Sequence, residues 1–263
     1  GIGRNEMPAW RGAYAGGIWQ SVRLVVTDTV FVRDVFVEPC PADAEAFVTV
    51  DLANEAFQPI PDPQSAERVG SRRGPSVTSP IRSRRVGVRL EITPAGEPGQ
   101  VVAAHAEERT VEPGGCSFRV KLGFSTLVPW TPENPHLYRV TVRVLEEGEE
   151  IHLESVRFGM RAFTVAGGDF LLNGERIFVK GAFWEGVYPS TLAHPRDGAI
   201  VRREIRLAKE AGFNLLRPWR MPPAPMIIDL ADEMGMMLVG SPAIACMGYW
   251  PAETPRMEDV WTK

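Results

Sequence analysis

Residues 197–217, DGAIVRREIRLAKEAGFNLLR, contain a predicted helix, its end and the strand that follows it. Asp197 can cap the helix, because an aspartate side chain accepts hydrogen bonds from the first free backbone N–H groups. The apolar residues within the helix recur on one face, where we expect them to pack: Val201, Ile205 and Ala208. Gly212 ends the helix, and 214–217 is a short apolar strand. This order predicts a β/α unit in which helices cover the strands.

The same alternation of strands and helices extends on both sides of this stretch. An apolar run at 177–181 predicts a preceding strand, and 236–240 predicts a third strand after a second helix that Gly235 stops. Consecutive strand, loop and helix cycles are typical of a parallel α/β domain, either an open sheet or a barrel. A (β/α)8 barrel needs about 250 residues, more than follow Gly167, so we expect the rest of such a barrel to lie outside this chain.

A different pattern, with a period of two residues, runs from Phe31 to about Val165. Apolar and polar residues alternate there in several short runs, which turns rich in proline and glycine separate. The clearest alternating apolar sets are Val48, Val50 and Leu52; Val86, Val88, Leu90 and Ile92; and Val140, Val142 and Val144. Each run has one apolar face, as half-buried antiparallel strands do, and the series predicts a β-sandwich of immunoglobulin-like size.

Composition and charge exclude several classes of partner. The chain has 263 residues, of which 44% are hydrophobic and 24% charged, and this is typical of a globular protein with room for two domains. A net charge of -4 provides no large basic field for nucleic acid or an anionic membrane. No apolar run approaches the roughly 18 residues of a membrane span. Cys40, Cys116 and Cys246 lack zinc or disulfide spacing, and we predict no metal and no cofactor.

Motif-like segments occur along nearly the whole chain. The most specific is WTPENPHLY at 130–138, and five others accompany it: AGGIWQSV at 15–22, RFGMR at 157–161, FLLNG at 170–174, KG at 180–181 and FNLLR at 213–217. Taken together, these segments resemble glycoside hydrolase family 2, which includes β-galactosidases, β-glucuronidases and β-mannosidases. Any one of them alone would be a weak signal, since Asn173-Gly174, for example, is also a common hairpin turn.

The resemblance implies a multidomain architecture of the β plus α/β class. Residues 1–28 would form the C-terminal end of a sugar-binding jelly roll, 29–165 an immunoglobulin-like β-sandwich, and 166–263 the first β/α units of an incomplete TIM barrel. The implied function is part of a retaining, exo-acting β-glycosidase, which hydrolyses O-glycosidic bonds in a carbohydrate substrate.

Retaining hydrolysis needs two carboxyl groups about 5 Å apart, one as acid/base and one as nucleophile. In the family these glutamates lie near the ends of the fourth and seventh barrel strands, and the strands predicted here stop at the third. We therefore predict no catalytic residue within the chain and no activity of the chain alone. The glutamates of its α/β part lie on helices or lack the family's Asn-Glu pair, and none is nominated: Glu204, Glu210, Glu233, Glu253 and Glu258.

Four residues are candidates for binding substrate or supporting the site, because barrel enzymes keep their sites at the carboxyl ends of strands. Arg217 matches a family arginine that braces the nucleophile carboxylate, and a structural ion pair is the alternative. Trp184 could stack on the C–H face of a sugar or pack under a loop. Glu185 could accept hydrogen bonds from sugar hydroxyls or be an exposed loop residue. Trp219 follows the second strand, as Tyr249 and Trp250 follow the third, and packing is the simpler interpretation for all three.

The identity of the sugar stays open. Galactosidase-like members have Asn-Arg-His-Glu where this sequence has Phe183-Trp184-Glu185-Gly186, and a tryptophan at this place resembles the mannosidase and glucosaminidase branch. A carbohydrate-binding or cell-surface adhesion module that reuses the sandwich is an alternative function, and a non-catalytic family member is another. The α/β segment after Gly174 argues against the module, since a sandwich module has no need of it.

Overall fold

The computed structural model describes residues 22–55, 81–184, 188, 195, 197–218 and 223–240. These residues form two compact units. One unit comprises 25–128 and 138–160. The other comprises 129–137 together with the described residues from 161 onward. The segment 129–137 therefore lies between two strands of the first unit in sequence but belongs to the second unit.

The described residues of the first unit form seven antiparallel strands in two sheets. The strands are β1 (Val30–Cys40), β2 (Glu45–Asn54), β3 (Arg84–Pro94), β4 (Ala103–Val111), β5 (Cys116–Gly123), β6 (Tyr138–Glu146) and β7 (Glu149–Phe158). One sheet has the order β1-β2-β5 and the other the order β4-β3-β6-β7. A single hydrophobic core contains buried residues of both sheets.

The alternating apolar residues of the sequence form this core, which confirms their prediction as inward-facing. In the register of β3 and β6, Val88 lies opposite Val144 and Leu90 opposite Val142, and all four side chains are buried. The residues between them face outward, where Arg89 lies opposite Arg143. Because side chains alternate between the two faces of a strand, this register buries every second residue from Val86 to Ile92 of β3 and from Tyr138 to Val144 of β6.

The second unit combines a small antiparallel sheet with a parallel α/β arrangement. Its elements are β8 (Phe163–Ala166), β9 (Asp169–Leu172), β10 (Glu175–Arg176), β11 (Gly181–Trp184), α1 (Gly198–Glu210), β12 (Leu215–Pro218), α2 (Pro225–Met234) and β13 (Met237–Leu238). Strands β8 to β10 pair in sequence order, and β11, β12 and β13 form a three-stranded parallel sheet. The described fold is thus mostly β-sheet with few helices.

The start of α1 and the end of α2 lie where the sequence predicts them. The Asp197 side chain accepts a 2.9 Å hydrogen bond from the Ala199 N–H at the start of α1, which satisfies one of the free N–H groups of the first turn. Gly235 ends α2 with a φ of 70°, a conformation that glycine adopts without steric cost. Within the described residues, neither helix is long and apolar enough to cross a membrane.

The first parallel strand is the exception, because its predicted position was wrong. We expected a strand at 177–181, whereas β11 is Gly181–Trp184. Asn214 explains the difference: its side-chain amide donates to the Phe178 carbonyl and its side-chain oxygen accepts from the Lys180 N–H, at 3.0 and 2.8 Å. These contacts occupy the backbone before Gly181, so the ladder with β12 starts at Gly181 opposite Leu215.

The segment 129–137, which contains most of the WTPENPHLY motif, packs within the second unit. The Trp130 ring is buried, and its Nε1 donates a 2.9 Å hydrogen bond to the Asp232 carbonyl of α2. The Trp130 carbonyl accepts a hydrogen bond from the Asn173 side chain at 3.0 Å. The Arg161 guanidinium lies 5.1 Å from the Trp130 ring centroid, within the range of a cation–π contact.

Lys209 of α1 connects this segment to the end of α2. Its Nζ donates to the carbonyls of Pro132, Met234 and Gly235 at 2.6, 2.5 and 3.4 Å. The last carbonyls of a helix have no partner within the helix, so one ammonium group satisfies two of them together with a carbonyl of the loop. Burial lowers the pKa of Lys209, and the charge of Glu133 partly opposes that shift.

Replacing Lys209 by Met should destabilise the second unit by about 2 kcal/mol, because three carbonyl groups lose a charged donor while the apolar stem is retained. Chemical denaturation followed by circular dichroism measures this loss. The matched control is Arg203→Met, since Arg203 is an exposed residue of the same helix and should change the unfolding midpoint little. Equal midpoints for the two variants would contradict the capping role of Lys209.

Candidate functional site

The carboxyl ends of the three parallel strands meet at one edge of their sheet. Trp184 is paired with Pro218 at the ends of β11 and β12, and Leu216 of β12 is paired with Leu238 at the end of β13. In β/α proteins with parallel strands, this edge is where ligands and catalytic groups are held. The last two residues of β11 and of β12 lie at this edge: Phe183 and Trp184, and Arg217 and Pro218.

The alternation of side chains assigns those residues to two different faces. The helix-facing side packs into the hydrophobic cluster of α1 and α2, to which Ala182, Trp184, Leu216 and Leu238 contribute. Phe183 and Arg217 are the alternating neighbours of these residues and lie on the other face of the sheet. They are also direct partners in the ladder of β11 and β12. The two side chains are therefore adjacent on the face opposite the helices.

Arg217 is exposed at this position. Its side chain makes no hydrogen bond or ion pair with another residue of the described part of the chain, whereas two of the three arginines of α1 do pair: Arg202 with Glu233 and Arg206 with Glu210, at 2.9 and 2.8 Å. A guanidinium group presents five N–H donors in a rigid plane that matches a carboxylate. The geometry suits Arg217 to bind a carboxylate that approaches from the open face.

A second cluster forms around Glu204, a residue that the sequence analysis did not nominate. The Trp184 Nε1 donates a 2.9 Å hydrogen bond to Glu204 Oε2, and the Tyr188 hydroxyl donates a short hydrogen bond to the same oxygen. Both donors belong to the end of β11 or the residues after it, while the acceptor lies on α1. The carboxylate therefore attaches the end of the first parallel strand to the first helix.

A signal for Glu204 is present in the sequence. It lies among Val201, Ile205 and Ala208 at the three- and four-residue spacing of the apolar helix face, rather than on the polar face of α1. A carboxylate on an apolar face requires polar partners, because a buried charge is costly unless it is hydrogen-bonded. This spacing indicates a hydrogen-bonding role, although it does not identify the partners.

The cluster changes the acid–base behaviour of Tyr188, which is buried. Burial raises the pKa of its hydroxyl, and the hydrogen bond to Glu204 and the negative charge of Glu204 raise that pKa further. All three effects favour the neutral phenol over the phenolate. Tyr188 is thus held as a hydrogen-bond donor over the whole neutral range of pH.

The other residues named in the sequence analysis, whether nominated or rejected, lie apart from this cluster or outside the described residues. Glu185 and Trp219 lie outside the described residues, as do Tyr249, Trp250, Glu253 and Glu258. Glu210 and Glu233 form the ion pairs with α1 arginines given above, on the surface of the helices. In the described part of the chain, no group of three or more His, Cys, Asp or Glu side chains could hold a metal ion.

The raised pKa of Tyr188 predicts a specific dependence of stability on pH. Tyrosines in the unfolded chain ionise at a pKa of about 10. Above that pH the folded state retains a proton that the unfolded state loses, so the free energy of unfolding decreases as pH rises. A Tyr188→Phe variant should lose part of this alkaline decrease. Denaturation midpoints between neutral pH and about pH 11 measure the difference.

The carboxylate can be tested in the same titration. Glu204→Gln keeps an acceptor oxygen but removes the negative charge, so the Tyr188 phenol should ionise at lower pH than in the unsubstituted chain. The absorbance difference between each protein and its Tyr188→Phe counterpart isolates this one tyrosine. Glu210→Gln, on the exposed end of the same helix, is the control and should leave the titration unchanged. A Tyr188 that titrates normally before any substitution would contradict the cluster.

Comparison with known proteins supports a single family. Residues 77–161 match the family model "Glycosyl hydrolases family 2". A beta-galactosidase of Vibrio cholerae is 29% identical over 163 residues, which are 60% of this chain and 16% of that protein. A putative beta-glucuronidase of Formosa agariphila is 28% identical over 173 residues, which are 62% of this chain and 16% of that protein. The chain thus spans about one sixth of the length of these two relatives.

Solved structures agree with this assignment at the level of the fold. The crystal structure of a glycosyl hydrolase family 2 member from Bacteroides cellulosilyticus superimposes with a TM-score of 0.66 at 23% identity, and the match covers 81% of this chain and 27% of that one. At this identity the likeness is one of fold alone. The family model, the curated relatives and the solved structures thus agree in supporting a relationship of this chain to glycosyl hydrolase family 2.

Proposed function

We propose that this chain is part of a retaining, exo-acting β-glycosidase, in which it supplies one side of the sugar-binding edge. The observation that carries the proposal is the position of Arg217. It lies next to the carboxyl end of a parallel strand, on the face that the helices leave open, and it has no partner among the described side chains. A guanidinium placed at this edge is suited to hold a carboxylate of the reaction site.

The proposed domain organisation follows the same reasoning. Residues 29–165 are an immunoglobulin-like β-sandwich, and their two antiparallel sheets with one shared core support this proposal. Residues 166–263 are the first β/α units of a TIM barrel, supported by the parallel order β11-β12-β13 with helices between the strands. Residues 1–28 are the end of a sugar-binding jelly roll; 1–21 of these lie outside the described residues.

The proposed chemistry assigns Arg217 an electrostatic role. In retaining hydrolysis one carboxylate attacks the anomeric carbon while a second carboxyl group protonates the leaving oxygen, and water then releases the sugar with the second group acting as base. The nucleophile has to be ionised when it attacks. A positive charge within about 4–6 Å lowers the pKa of a carboxyl group by 1–3 units, so Arg217 would keep the nucleophile charged. None of the described glutamates lies at the carboxyl end of β11, β12 or β13, and we assign neither catalytic role within this chain.

The remaining candidates have supporting roles in this proposal. Trp184 packs against the helix cluster and donates to Glu204, which supports a role in fixing the end of β11. Glu185 follows Trp184 directly, and we retain it as a possible acceptor for sugar hydroxyls. Trp219 follows the end of β12 in the same way and is retained as a supporting residue. The substrate class is a β-linked carbohydrate, as in the reactions by which the matched relatives are named.

Replacing Arg217 by Ala in a longer protein that contains this chain should reduce kcat/KM for an aryl β-glycoside by about 100-fold, because one preorganised charge at the reaction site is lost. The free energy of unfolding should change by less than about 0.5 kcal/mol, since the side chain is exposed. Steady-state kinetics and thermal unfolding measure the two effects.

The matched control is Arg203→Ala, which removes an exposed arginine from the helix layer of the same unit. It should leave both turnover and stability close to those of the unsubstituted protein. Comparable losses of turnover and stability in Arg217→Ala would instead indicate a structural ion pair. Absence of turnover with a panel of aryl β-glycosides in the unsubstituted protein would contradict the glycosidase itself.

A further inference from the structure

Phe183 lies at the same edge as Arg217, and sequence analysis gave it no role. The two residues are direct partners across the parallel ladder of β11 and β12. The Phe183 side chain is 53% exposed. The neighbouring positions in the same strand, Ala182 and Trp184, pack against the helix cluster. A partly exposed ring thus lies beside a guanidinium on the face of the sheet opposite the helices.

The orientation of Phe183 is determined by the contacts of Trp184. The Trp184 ring packs against the α1 and α2 cluster, and its Nε1 is held by Glu204 of α1 at 2.9 Å. Glu204 also accepts the hydroxyl of the buried Tyr188. Because successive side chains of a strand point to opposite faces, a fixed Trp184 directs Phe183 to the face without helices. A slip of β11 by one residue would exchange the two rings and break the hydrogen bond to Glu204.

The chemistry of the pair suits a sugar ring. A pyranose presents hydroxyl groups around its rim and C–H groups on its faces, and a flat aromatic ring packs against such an apolar face without competing for hydrogen bonds. Unlike tryptophan or tyrosine, phenylalanine has no polar group that would need a partner. The adjacent Arg217 can meanwhile bind a carboxylate at the rim of the same space.

We propose that Phe183 is a specificity-determining residue, whose ring packs against the C–H face of the sugar bound beside Arg217. This inference rests on the proposed function and deepens it. It assigns the apolar sugar contact of the first parallel strand to Phe183 rather than to Trp184, whose ring is held in the helix layer by Glu204. The sugar class it selects is a β-glycoside whose ring offers an unsubstituted C–H face.

The test uses the longer glycosidase that contains this chain, with Phe183→Ala, Phe183→Leu and Phe183→Tyr. Removing the ring should raise KM for a β-glycoside about tenfold, the scale of one lost aromatic contact, while kcat changes less than KM. Phe183→Leu keeps an apolar side chain without the flat ring, so it should raise KM with a shift of the thermal midpoint below about 2 °C. Phe183→Tyr keeps the ring and should have the same KM as the unsubstituted protein.

The matched control is Phe178→Ala. Phe178 is 76% exposed and precedes β11, at the amino end of the same strand, so its removal should leave KM unchanged. An aryl and an alkyl β-glycoside of one sugar are compared, because a ring that contacts the sugar should affect both equally. An increase in KM confined to the aryl substrate would overturn the proposal by assigning Phe183 to the leaving group.

The outcomes also separate this inference from the proposed function. No turnover of any β-glycoside by the unsubstituted protein would contradict the glycosidase and with it the role of Phe183. Normal turnover with an unchanged KM in Phe183→Leu would overturn the role of Phe183 alone. Should Phe183→Ala fail to fold, Phe183→Leu and Phe183→Tyr give the same comparison. A KM that is raised in Phe183→Leu, but that in Phe183→Tyr equals the KM of the unsubstituted protein, supports the role of Phe183.

Discussion

The alternation of side chains in one short parallel sheet determines the whole candidate site. Helices α1 and α2 cover one face of the sheet, and their hydrophobic cluster takes Ala182, Trp184, Leu216 and Leu238. The residues that alternate with them, Phe183 and Arg217, lie on the other face, because successive side chains of a strand point to opposite sides of the sheet. Arg217 and Phe183 are placed together for this reason. Their adjacency depends on the helix layer and needs no direct contact between the two residues.

Glu204 makes this arrangement specific. Packing alone would tolerate several apolar side chains at the end of β11, because cores accept substitutions of similar volume. The Glu204 carboxylate accepts hydrogen bonds from the Trp184 indole and the Tyr188 hydroxyl. It therefore requires a hydrogen-bond donor at each of these two positions. Such a polar cluster in a half-buried site costs free energy when one partner is absent. It therefore selects one register of β11 against its alternatives.

The WTPENPHLY motif has a structural explanation that is separate from the candidate site. Trp130 donates to a carbonyl of α2, and the Pro132 carbonyl shares Lys209 with the last carbonyls of that helix. Gly235 is required at the same place, because a Cβ there would lie 2.3 Å from the Pro132 oxygen. Trp130 of the motif and Lys209 thus donate hydrogen bonds to carbonyls in the last turn of α2. Gly235, which ends this helix, lies at the same place.

Much of the fold followed from the sequence by itself. The alternation in β2, β3 and β6 was sufficient to identify their buried faces, since a period of two residues leaves only one way to bury the apolar set. The Asp197 cap and the Gly235 stop could also be predicted, because each is a local interaction within a few residues of the chain. The motifs likewise indicated the family, and the sequence placed Arg217 on a strand.

The contacts between residues that are far apart in sequence could be identified only in the folded structure. Strand β11 starts at Gly181 rather than at Ile177 because Asn214 binds the backbone before it. The partners of Glu204, the packing of 129–137 within the α/β unit, and the pairing of Phe183 with Arg217 are likewise contacts between separate elements. The local periodicity of the sequence does not predict these contacts, because they depend on which distant segments of the chain the tertiary fold brings together. The sequence therefore determined which elements form, and tertiary packing decided which side chains face the site.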